Sequence, residues 1–391
     1  MKKCRLCKET QVHLLIDFGK QPIVHQLLNN KDDDYDEYPF ELGLCSKCSL
    51  VQQISPISPL ILYENYFTVS SWKNQPHVDR LLEVMKSITG LNNKTRILEI
   101  GCNDGGFIER LQKYGIKECI GIEPSKDAYN LAKSKGINVH NEFFSIKNPN
   151  LDFEENFHDI VICRQVLEHI SDLEEFMLSV DYCLKDQGIF VIEIPDSRWN
   201  FEYMDYALWE EHVNYFTLNS LNNLLKKYGF RIIHYETTLF SGRALTVFAE
   251  KRATITNSFE YNSDDLVKCH LYGKNWEIFK KQMYELVSSK EKVVVYGCGA
   301  RSSTFVNFIQ LENVICYIDD QKEKQSYFVP GSRLEILPWD DSWSNGYFLL
   351  GVNTENEMKV IRNKALNEQQ FLSILPPSRF LPDFWKDMLN V

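Results

Sequence analysis

Short apolar runs alternate with longer amphipathic stretches from about residue 76 to residue 250. Four of these runs have the length and side-chain character of buried parallel strands, at residues 97–100, 119–123, 160–163 and 189–194. Helical hydrophobic patterns fill the intervals between them. Alternating strands and helices are typical of a doubly wound α/β sheet, which we predict for residues 76–250.

A second strand–turn–helix pattern begins at Lys292 and reads K-V-V-V-Y-G-C-G-A-R-S-S-T-F-V-N-F. A further apolar run at residues 314–318 leads into Asp319 and Asp320. We therefore predict that residues 251–391 form a second, Rossmann-like α/β domain. Its glycines follow a buried strand, so an NAD site in this domain is an alternative that the pattern leaves open.

Residues 1–75 lack this alternation and carry two C-x-x-C pairs instead. Cys4 and Cys7 form the first pair, and Cys45 and Cys48 form the second after a gap of 37 residues. Four thiolates in two knuckles are the tetrahedral set that Zn2+ prefers in a structural site, and they leave no position open for catalysis. We predict a small zinc-binding module with a structural metal; two redox-active pairs are the alternative.

The stretch from residue 96 to residue 123 carries the strongest functional signal. Its first strand runs into the turn G-x-x-x-G-G, where Gly101 and Gly105 let the backbone turn sharply and approach a ligand closely. The next strand ends on Glu123, whose carboxylate can accept hydrogen bonds from both hydroxyls of a ribose. These features predict a nucleoside cofactor; a turn of another doubly wound sheet without a ligand is the alternative.

Two further acids indicate which cofactor binds. Glu99 precedes the turn and Asp104 lies within it, so a pyrophosphate at this helix start would meet negative charge. The glycine pattern also differs from the G-x-G-x-x-G fingerprint of dinucleotide sites. A cofactor with a sulfonium and an amino-acid tail suits these acids better, and we predict S-adenosylmethionine.

Composition narrows the choice of partners. The 391 residues include 43 basic and 54 acidic ones, and the net charge of −11 would repel a phosphate backbone, which argues against a nucleic-acid substrate. The sequence holds no run of eighteen apolar residues and no apolar leader, so we expect no membrane span, no signal peptide and a cytoplasmic location. The sequence does not give the oligomeric state, although a monomer is favoured.

Eight short motifs, spread over nearly the whole length, give the chain a family resemblance. They are C-R-L-C at 4–7, D-F-G-K-Q-P at 17–22, L-C-S-K-C-S-L-V-Q at 44–52, E-I-G-C-N-D-G-G at 99–106, G-I-E-P-S at 121–125, C-R-Q-V-L-E-H-I at 163–170, E-E-H-V-N-Y-F-T at 210–217 and V-V-Y-G-C-G-A-R at 294–301. In this order the chain resembles the S-adenosylmethionine-dependent sugar C-methyltransferases, which act on nucleotide-linked keto-deoxysugars.

The resemblance implies how the cofactor and the nucleotide sugar are held. Glu123 would hold the ribose, and Gly101 with its neighbours would line the methionine end of the cofactor. The C-terminal domain would help to bind the nucleotide sugar, with Arg301 or Arg333 as a phosphate partner. The complete set of expected cofactor residues is Glu99, Gly101, Asn103, Asp104, Gly105, Glu123, Pro124, Arg164 and Gln165.

The resemblance also implies the catalytic groups. In similar enzymes a Glu-His pair supplies the base: a ketone acidifies the neighbouring C–H bond, His212 takes the proton, and the resulting enolate attacks the methyl group. Glu211 is expected to orient the imidazole and to stabilise its charge, and Tyr66 is a further catalytic candidate. Thr68 and Trp209 stand where the family usually carries tyrosines.

Several alternatives remain open on the sequence alone. The E-E-H run could be a surface cap for the helix that Thr217 is expected to start. The same scaffold could methylate a sugar oxygen or nitrogen, which needs no neighbouring ketone. An NAD-dependent sugar oxidoreductase would use the C-terminal glycines, and a zinc-ribbon interaction module on an inactive methyltransferase would use neither site. His169, in the V-L-E-H-I motif, is interpreted as a structural residue at a helix start.

Overall fold

A computed structural model describes residues 3–9, 12–62, 75, 77–205, 208–252, 258–260 and 262–389. Its strands are β1 Val12–Pro22, β2 Glu37–Cys45, β3 Val51–Gln53, β4 Arg96–Ile100, β5 Glu118–Ile122, β6 Val139–His140, β7 His158–Arg164, β8 Leu184–Pro195, β9 Asn214–Tyr215, β10 Phe230–Leu239, β11 Arg243–Lys251, β12 Val293–Tyr296, β13 Val314–Ile318, β14 Ile336–Leu337, β15 Tyr347–Leu350 and β16 Phe371–Ser373.

The α-helices are α1 Pro59–Leu62, α2 His77–Thr89, α3 Gly106–Lys113, α4 Lys126–Ser134, α5 Leu173–Cys183, α6 Ser197–Glu202, α7 Leu218–Lys227, α8 Ser263–Ser288, α9 Ala300–Ile309, α10 Thr354–Asn363 and α11 Asp383–Leu389. Short 3-10 helices cover Leu167–His169, Lys322–Lys324, Asp341–Asn345 and Glu368–Gln370. Within the described residues, no helix combines the length and the apolar character that a membrane crossing requires.

The central sheet has seven strands in the order β10-β11-β8-β7-β4-β5-β6. Strands β4 to β8 run parallel, and β11 pairs antiparallel with β8. Leu98 in β4 and Val161 in β7 are fully buried, as the apolar runs predicted. The predicted α/β class, with its doubly wound methyltransferase-type sheet, is confirmed.

The register of the central sheet positions the cofactor residues. Ile100 in β4 lies opposite Ile122 in β5 and Cys163 in β7. The residues that follow these positions are Gly101, Glu123 and Arg164. Because parallel strands end at the same edge of a sheet, residues far apart in the sequence meet at this one edge.

The first sheet joins the zinc module to the second domain. Strands β1, β2 and β3 are antiparallel and come from the first 53 residues, but the fourth strand, β9, follows residue 213. Val51 pairs with Tyr215 and Gln52 with Asn214. The segment that carries the Glu-Glu-His motif therefore enters β9 directly and becomes part of the sheet of the zinc module.

The C-terminal sheet is entirely parallel, in the order β14-β13-β12-β15-β16, and confirms the predicted Rossmann-like unit. Its long helix α8 and its helix α9 also pack against the first sheet. Phe18 stacks on Phe308 with ring centroids 4.1 Å apart, and it meets Trp276 edge to face at 4.9 Å. These aromatic side chains form one core with the interior of the zinc module, so the first and third units share a hydrophobic interface.

Helix α7 begins where the sequence predicted a helix start. Thr217 is its N-cap: the Thr217 hydroxyl oxygen accepts a hydrogen bond from the Ser220 backbone N–H, and the Ser220 hydroxyl oxygen accepts one from the Thr217 backbone N–H. This reciprocal pair satisfies two backbone donors that the first turn leaves free. The cap is thus made by Thr217 itself and leaves the preceding Glu-Glu-His residues available for other contacts.

Candidate active site

The turn after β4 has the backbone conformation that its glycines predict. Gly101 has φ +69°, and its N–H donates to the Ile122 carbonyl at 2.8 Å. A Cβ at this position would come within 2.4 Å of Val166. Gly101 is therefore required both by its left-handed conformation and by the close packing of the loop after β7.

The Glu123 carboxylate lies under this turn and holds it in place. One carboxyl oxygen accepts the Asn103 N–H at 2.9 Å, and the other accepts the Ser125 N–H at 2.8 Å. Burial raises the pKa of Glu123 to about 7, against the effect of these two donors. The neighbouring Pro124 carbonyl accepts the Asn141 side-chain amide at 2.9 Å. Glu123 is thus positioned at the edge where a ribose is expected, with lone pairs left to accept its hydroxyls.

The Asp104 carboxylate is engaged within the protein. One oxygen accepts the Lys135 ammonium at 2.7 Å, and the other accepts the Gly106 N–H at 3.1 Å, where α3 begins. Lys135 also pairs with Glu109 at 3.1 Å. Lys135, which is shared between two carboxylates, therefore offsets only part of the negative charge at this turn. A contact between Asp104 and the cofactor stays a prediction, as does one from Gly105, which has φ +75°.

Arg164 and Gln165 have structural partners that the sequence did not reveal. The Arg164 guanidinium donates to the Glu193 carboxylate at 3.1 Å, and His77 approaches the other oxygen of Glu193 at 3.2 Å. Although burial opposes ionisation, Arg164 and His77 hold the pKa of Glu193 at about 2. Gln165 has φ +54° and donates its N–H to the Glu193 carbonyl at 2.7 Å. These contacts fix the loop after β7.

Glu99 is the buried acid of the cofactor edge. Its side chain is buried, and one of its carboxyl oxygens has no hydrogen-bond partner among the described residues. Burial raises the pKa of Glu99 to about 8, with Arg164 acting in the opposite direction. A cationic group that binds here would favour the ionised carboxylate.

His212, the predicted base, is buried in an aromatic and imidazole cluster. The Trp209 ring lies 3.8 Å from the His212 ring, centroid to centroid, and the His169 ring meets it edge to face at 4.9 Å. The backbone N–H of His212 donates to the Trp209 carbonyl at 3.0 Å, which closes a tight turn within the motif. The tryptophan that replaces the family tyrosine therefore packs directly against the candidate base.

Glu211 has partners that the sequence did not reveal. Its carboxylate pairs with His25 at 2.7 Å and lies 3.7 Å from His169. The expected role of Glu211 in orienting His212 stays a prediction. Although burial opposes protonation, Glu211 and Glu210 raise the pKa of His25 to about 10. His25 is thus a positively charged member of the cluster. The sequence showed this histidine but not its pairing with Glu211, which lies far along the chain.

Glu168 is a second residue that the sequence analysis did not assign. It lies in the 3-10 helix Leu167–His169, where the sequence predicted the start of an α-helix. Its side chain is 2% exposed, and neither carboxyl oxygen has a hydrogen-bond partner among the described residues. One oxygen lies within 4.8 Å of a ring nitrogen of His169 and of His212. Burial raises the pKa of Glu168 to about 8.

The remaining predicted site residues lie elsewhere or outside the described residues. Tyr66 and Thr68 belong to the segment 63–74, which lies outside them. Arg301 donates to Asp205 at 2.7 Å and to the Pro376 carbonyl at 3.3 Å, and Arg333 donates to the Asp33 carbonyl at 3.0 Å. Both guanidinium groups thus have partners within the protein, and their expected role as phosphate partners stays a prediction.

The four cysteines of the first module form the predicted metal site. Cys4 and Cys48 lie 3.5 Å apart at sulfur, as do Cys7 and Cys45, and all four sulfurs lie within 4.8 Å of one another. Four thiolates around Zn2+ at about 2.3 Å would be about 3.8 Å apart. Each knuckle ends in a residue with positive φ, Lys8 or Ser49, and its backbone N–H donates to the carbonyl of the first cysteine of that knuckle. These donors fit a closed structural zinc site.

Three protein-family models match consecutive parts of the chain. "Putative zinc binding domain" covers residues 4–63, "Methyltransferase domain" covers residues 72–235, and "C-methyltransferase C-terminal domain" covers residues 260–363. The matches follow the order of the three sheets.

Individual relatives agree with these models. The chain is 25% identical to C-methyltransferase NovU of Streptomyces niveus over 398 aligned positions, which cover 95% of this chain and 93% of the relative. It is 30% identical to a ubiquinone biosynthesis O-methyltransferase of Rhodopseudomonas palustris strain TIE-1, over 27% of this chain and 41% of that protein. A solved methyltransferase dependent on S-adenosylmethionine, from Archaeoglobus fulgidus, aligns with 50% of this chain and 100% of its own, at 17% identity and a TM-score of 0.38.

Proposed function

We propose that this chain, an S-adenosylmethionine-dependent methyltransferase, transfers the methyl group to a carbon next to a ketone in a nucleotide-linked deoxysugar. The similarity to a C-methyltransferase over nearly the whole length of both chains supports transfer to carbon. The observation that carries the proposal is the buried cluster around His212, which brings a candidate base next to the acid Glu168 and the imidazole of His169. The sugar and its nucleotide come from the sequence resemblance.

In this proposal the protein first removes a proton from the substrate. S-adenosylmethionine supplies an electrophilic methyl group on its sulfonium. His212 takes the proton from the carbon next to the ketone, and the electron pair of the broken C–H bond moves into the enolate. The nucleophilic carbon then forms its bond to the methyl group while the carbon–sulfur bond breaks. Trp209 and His169 hold the imidazole between them and exclude water from it.

The second role belongs to Glu168, whose carboxylic acid donates a hydrogen bond to the enolate oxygen. A carboxylic acid that stays neutral near pH 7 can donate such a bond, and the raised pKa of Glu168 keeps it in that form. The buried carboxyl has no described partner, so a substrate oxygen would satisfy it. The Glu168 O–H would take the place of the tyrosine hydroxyl that this chain lacks, because residue 209 is a tryptophan.

This role predicts a pH limit on the basic side. Because the acid form of Glu168 is required, kcat should fall as pH rises through the pKa of about 8. Glu168→Gln keeps a donor that does not titrate, so its kcat should be lower than that of the wild type at pH 7 but should not fall across this range. Initial rates between about pH 6 and 9 check this. If the kcat of Glu168→Gln falls with rising pH as that of the wild type does, the assignment is contradicted.

The product itself tests the proposed reaction. The enzyme is incubated with a nucleoside-diphosphate 4-keto-deoxysugar and S-adenosylmethionine that carries a 13C-labelled methyl group. We expect a 13C NMR signal coupled to a ring carbon, which shows a new carbon–carbon bond. A label attached to oxygen or nitrogen would instead establish the alternative O- or N-methyltransferase. The local similarity to O-methyltransferases is the observation that keeps this second reaction under test.

A further inference from the structure

The amide of Gln53 connects the zinc module to the candidate catalytic segment. Gln53 ends β3 and is 2% exposed. Its side-chain nitrogen donates to three backbone carbonyls of one turn, those of Trp209 at 3.2 Å, Glu210 at 3.0 Å and His212 at 2.9 Å. The three carbonyls of the turn around His212 thus share the two amide hydrogens of Gln53.

Arg5 holds Gln53 from the other side. It lies between the zinc ligands Cys4 and Cys7, and its guanidinium donates to the Gln53 carbonyl at 2.8 Å and to the Val213 carbonyl at 3.1 Å. It also donates to the side-chain oxygen of Gln52 at 3.2 Å. The first zinc knuckle, the end of β3 and the segment after His212 are therefore fastened by one cationic side chain.

The backbone completes this connection. The Gln53 N–H donates to the Val213 carbonyl at 3.0 Å, and the Val213 N–H donates to the Glu168 carbonyl at 2.8 Å. The turn around His212 is thus fixed on one side by the zinc module and on the other by the loop after β7. Such a turn has few ways to adjust when one anchor is removed, and a displacement of about 1 Å can cost about 100-fold in rate.

We propose that Gln53 is a positioning residue for His212, held in register by Arg5 of the first zinc knuckle. The proposal rests on the proposed function, because it takes His212 as the base. Gln53 does not touch the reacting atoms, so it acts through the backbone of the turn. The zinc site thereby sets catalytic geometry as well as the fold of its own module.

Gln53→Met tests the proposal, because methionine has a similar length and volume but no donor. We expect kcat to fall by about 10–100-fold, with little change in the KM for S-adenosylmethionine. Zinc content and the calorimetric affinity for S-adenosylhomocysteine should match the wild type. The ring 15N signals of His212 should shift. Gln21→Met is the matched control, because the side-chain amide of Gln21 donates to the Phe18 carbonyl within β1, a strand of the same sheet.

Arg5→Met is the second variant and removes the outer anchor. It should retain the zinc and lower kcat in the same direction as Gln53→Met. The proposal is overturned if both variants keep the wild-type kcat, or if each loses activity only together with zinc and S-adenosylhomocysteine binding. A wild-type enzyme that forms no carbon–carbon bond would instead overturn the proposed function, so the two failures can be told apart.

Discussion

Replacing His212 with asparagine is expected to lower kcat by about 100- to 10,000-fold, because asparagine cannot accept the proton and general base catalysis contributes that much. His212 is 3% exposed and packs against Trp209, and the smaller polar side chain fits the same space. The cofactor turn at Gly101 and the Glu123 carboxylate belong to the central sheet. We therefore expect S-adenosylhomocysteine to bind the variant as tightly as the wild type.

Initial rates at saturating S-adenosylmethionine and calorimetry with S-adenosylhomocysteine together check this result. His13→Asn is the matched control, because His13 lies on β1 and is exposed to solvent. Its kcat should equal that of the wild type. If His212→Asn keeps a kcat within a few-fold of the wild type, His212 is not the base, and the Glu-Glu-His segment has a structural role only.

Removing one zinc ligand should have the second large effect. Cys45→Ser takes one thiolate from a closed site, so we expect the bound zinc to be lost and the free energy of unfolding to fall by several kcal/mol. Cys45 ends β2, which pairs with β3, and β3 in turn pairs with β9 beside His212. Activity should therefore disappear, while the cofactor turn in the central sheet still binds S-adenosylhomocysteine.

Metal analysis, thermal unfolding and calorimetry measure these three consequences. Cys316→Ala is the matched control, because Cys316 is a buried cysteine of β13 in the C-terminal sheet. It should keep one zinc per chain and most of the activity. A zinc-free Cys45→Ser protein with the wild-type kcat would show that the module is independent of the catalytic segment.

Local patterns in the sequence were enough to predict the fold and the cofactor. The apolar runs gave the strands of the central sheet, and Thr217 gave a helix start that the structure confirms. The glycine turn with Glu123 at the next strand end predicted S-adenosylmethionine, which the family models and relatives support. These signals are local, because each depends on residues within one strand–turn–helix unit.

Contacts between distant segments could not be predicted in the same way. The Val24 N–H donates to the Glu210 carboxylate at 2.8 Å across 186 positions of the chain, and His25 pairs with Glu211 beside it. Periodicity carries no information about such partners. The same holds for Asp104 with Lys135 and for Arg164 with Glu193, where the sequence showed the residue type but not the partner that occupies it.

Hydrogen exchange at the carbon next to the ketone tests the central claim most directly. The enzyme is incubated in D2O with a nucleoside-diphosphate 4-keto-deoxysugar and S-adenosylhomocysteine, so that proton removal can occur but methyl transfer cannot. We predict that deuterium enters this position with the wild-type enzyme and that His212→Asn abolishes the exchange. No exchange with the wild type, or equal exchange with both proteins, would contradict carbon methylation through an enolate formed by His212.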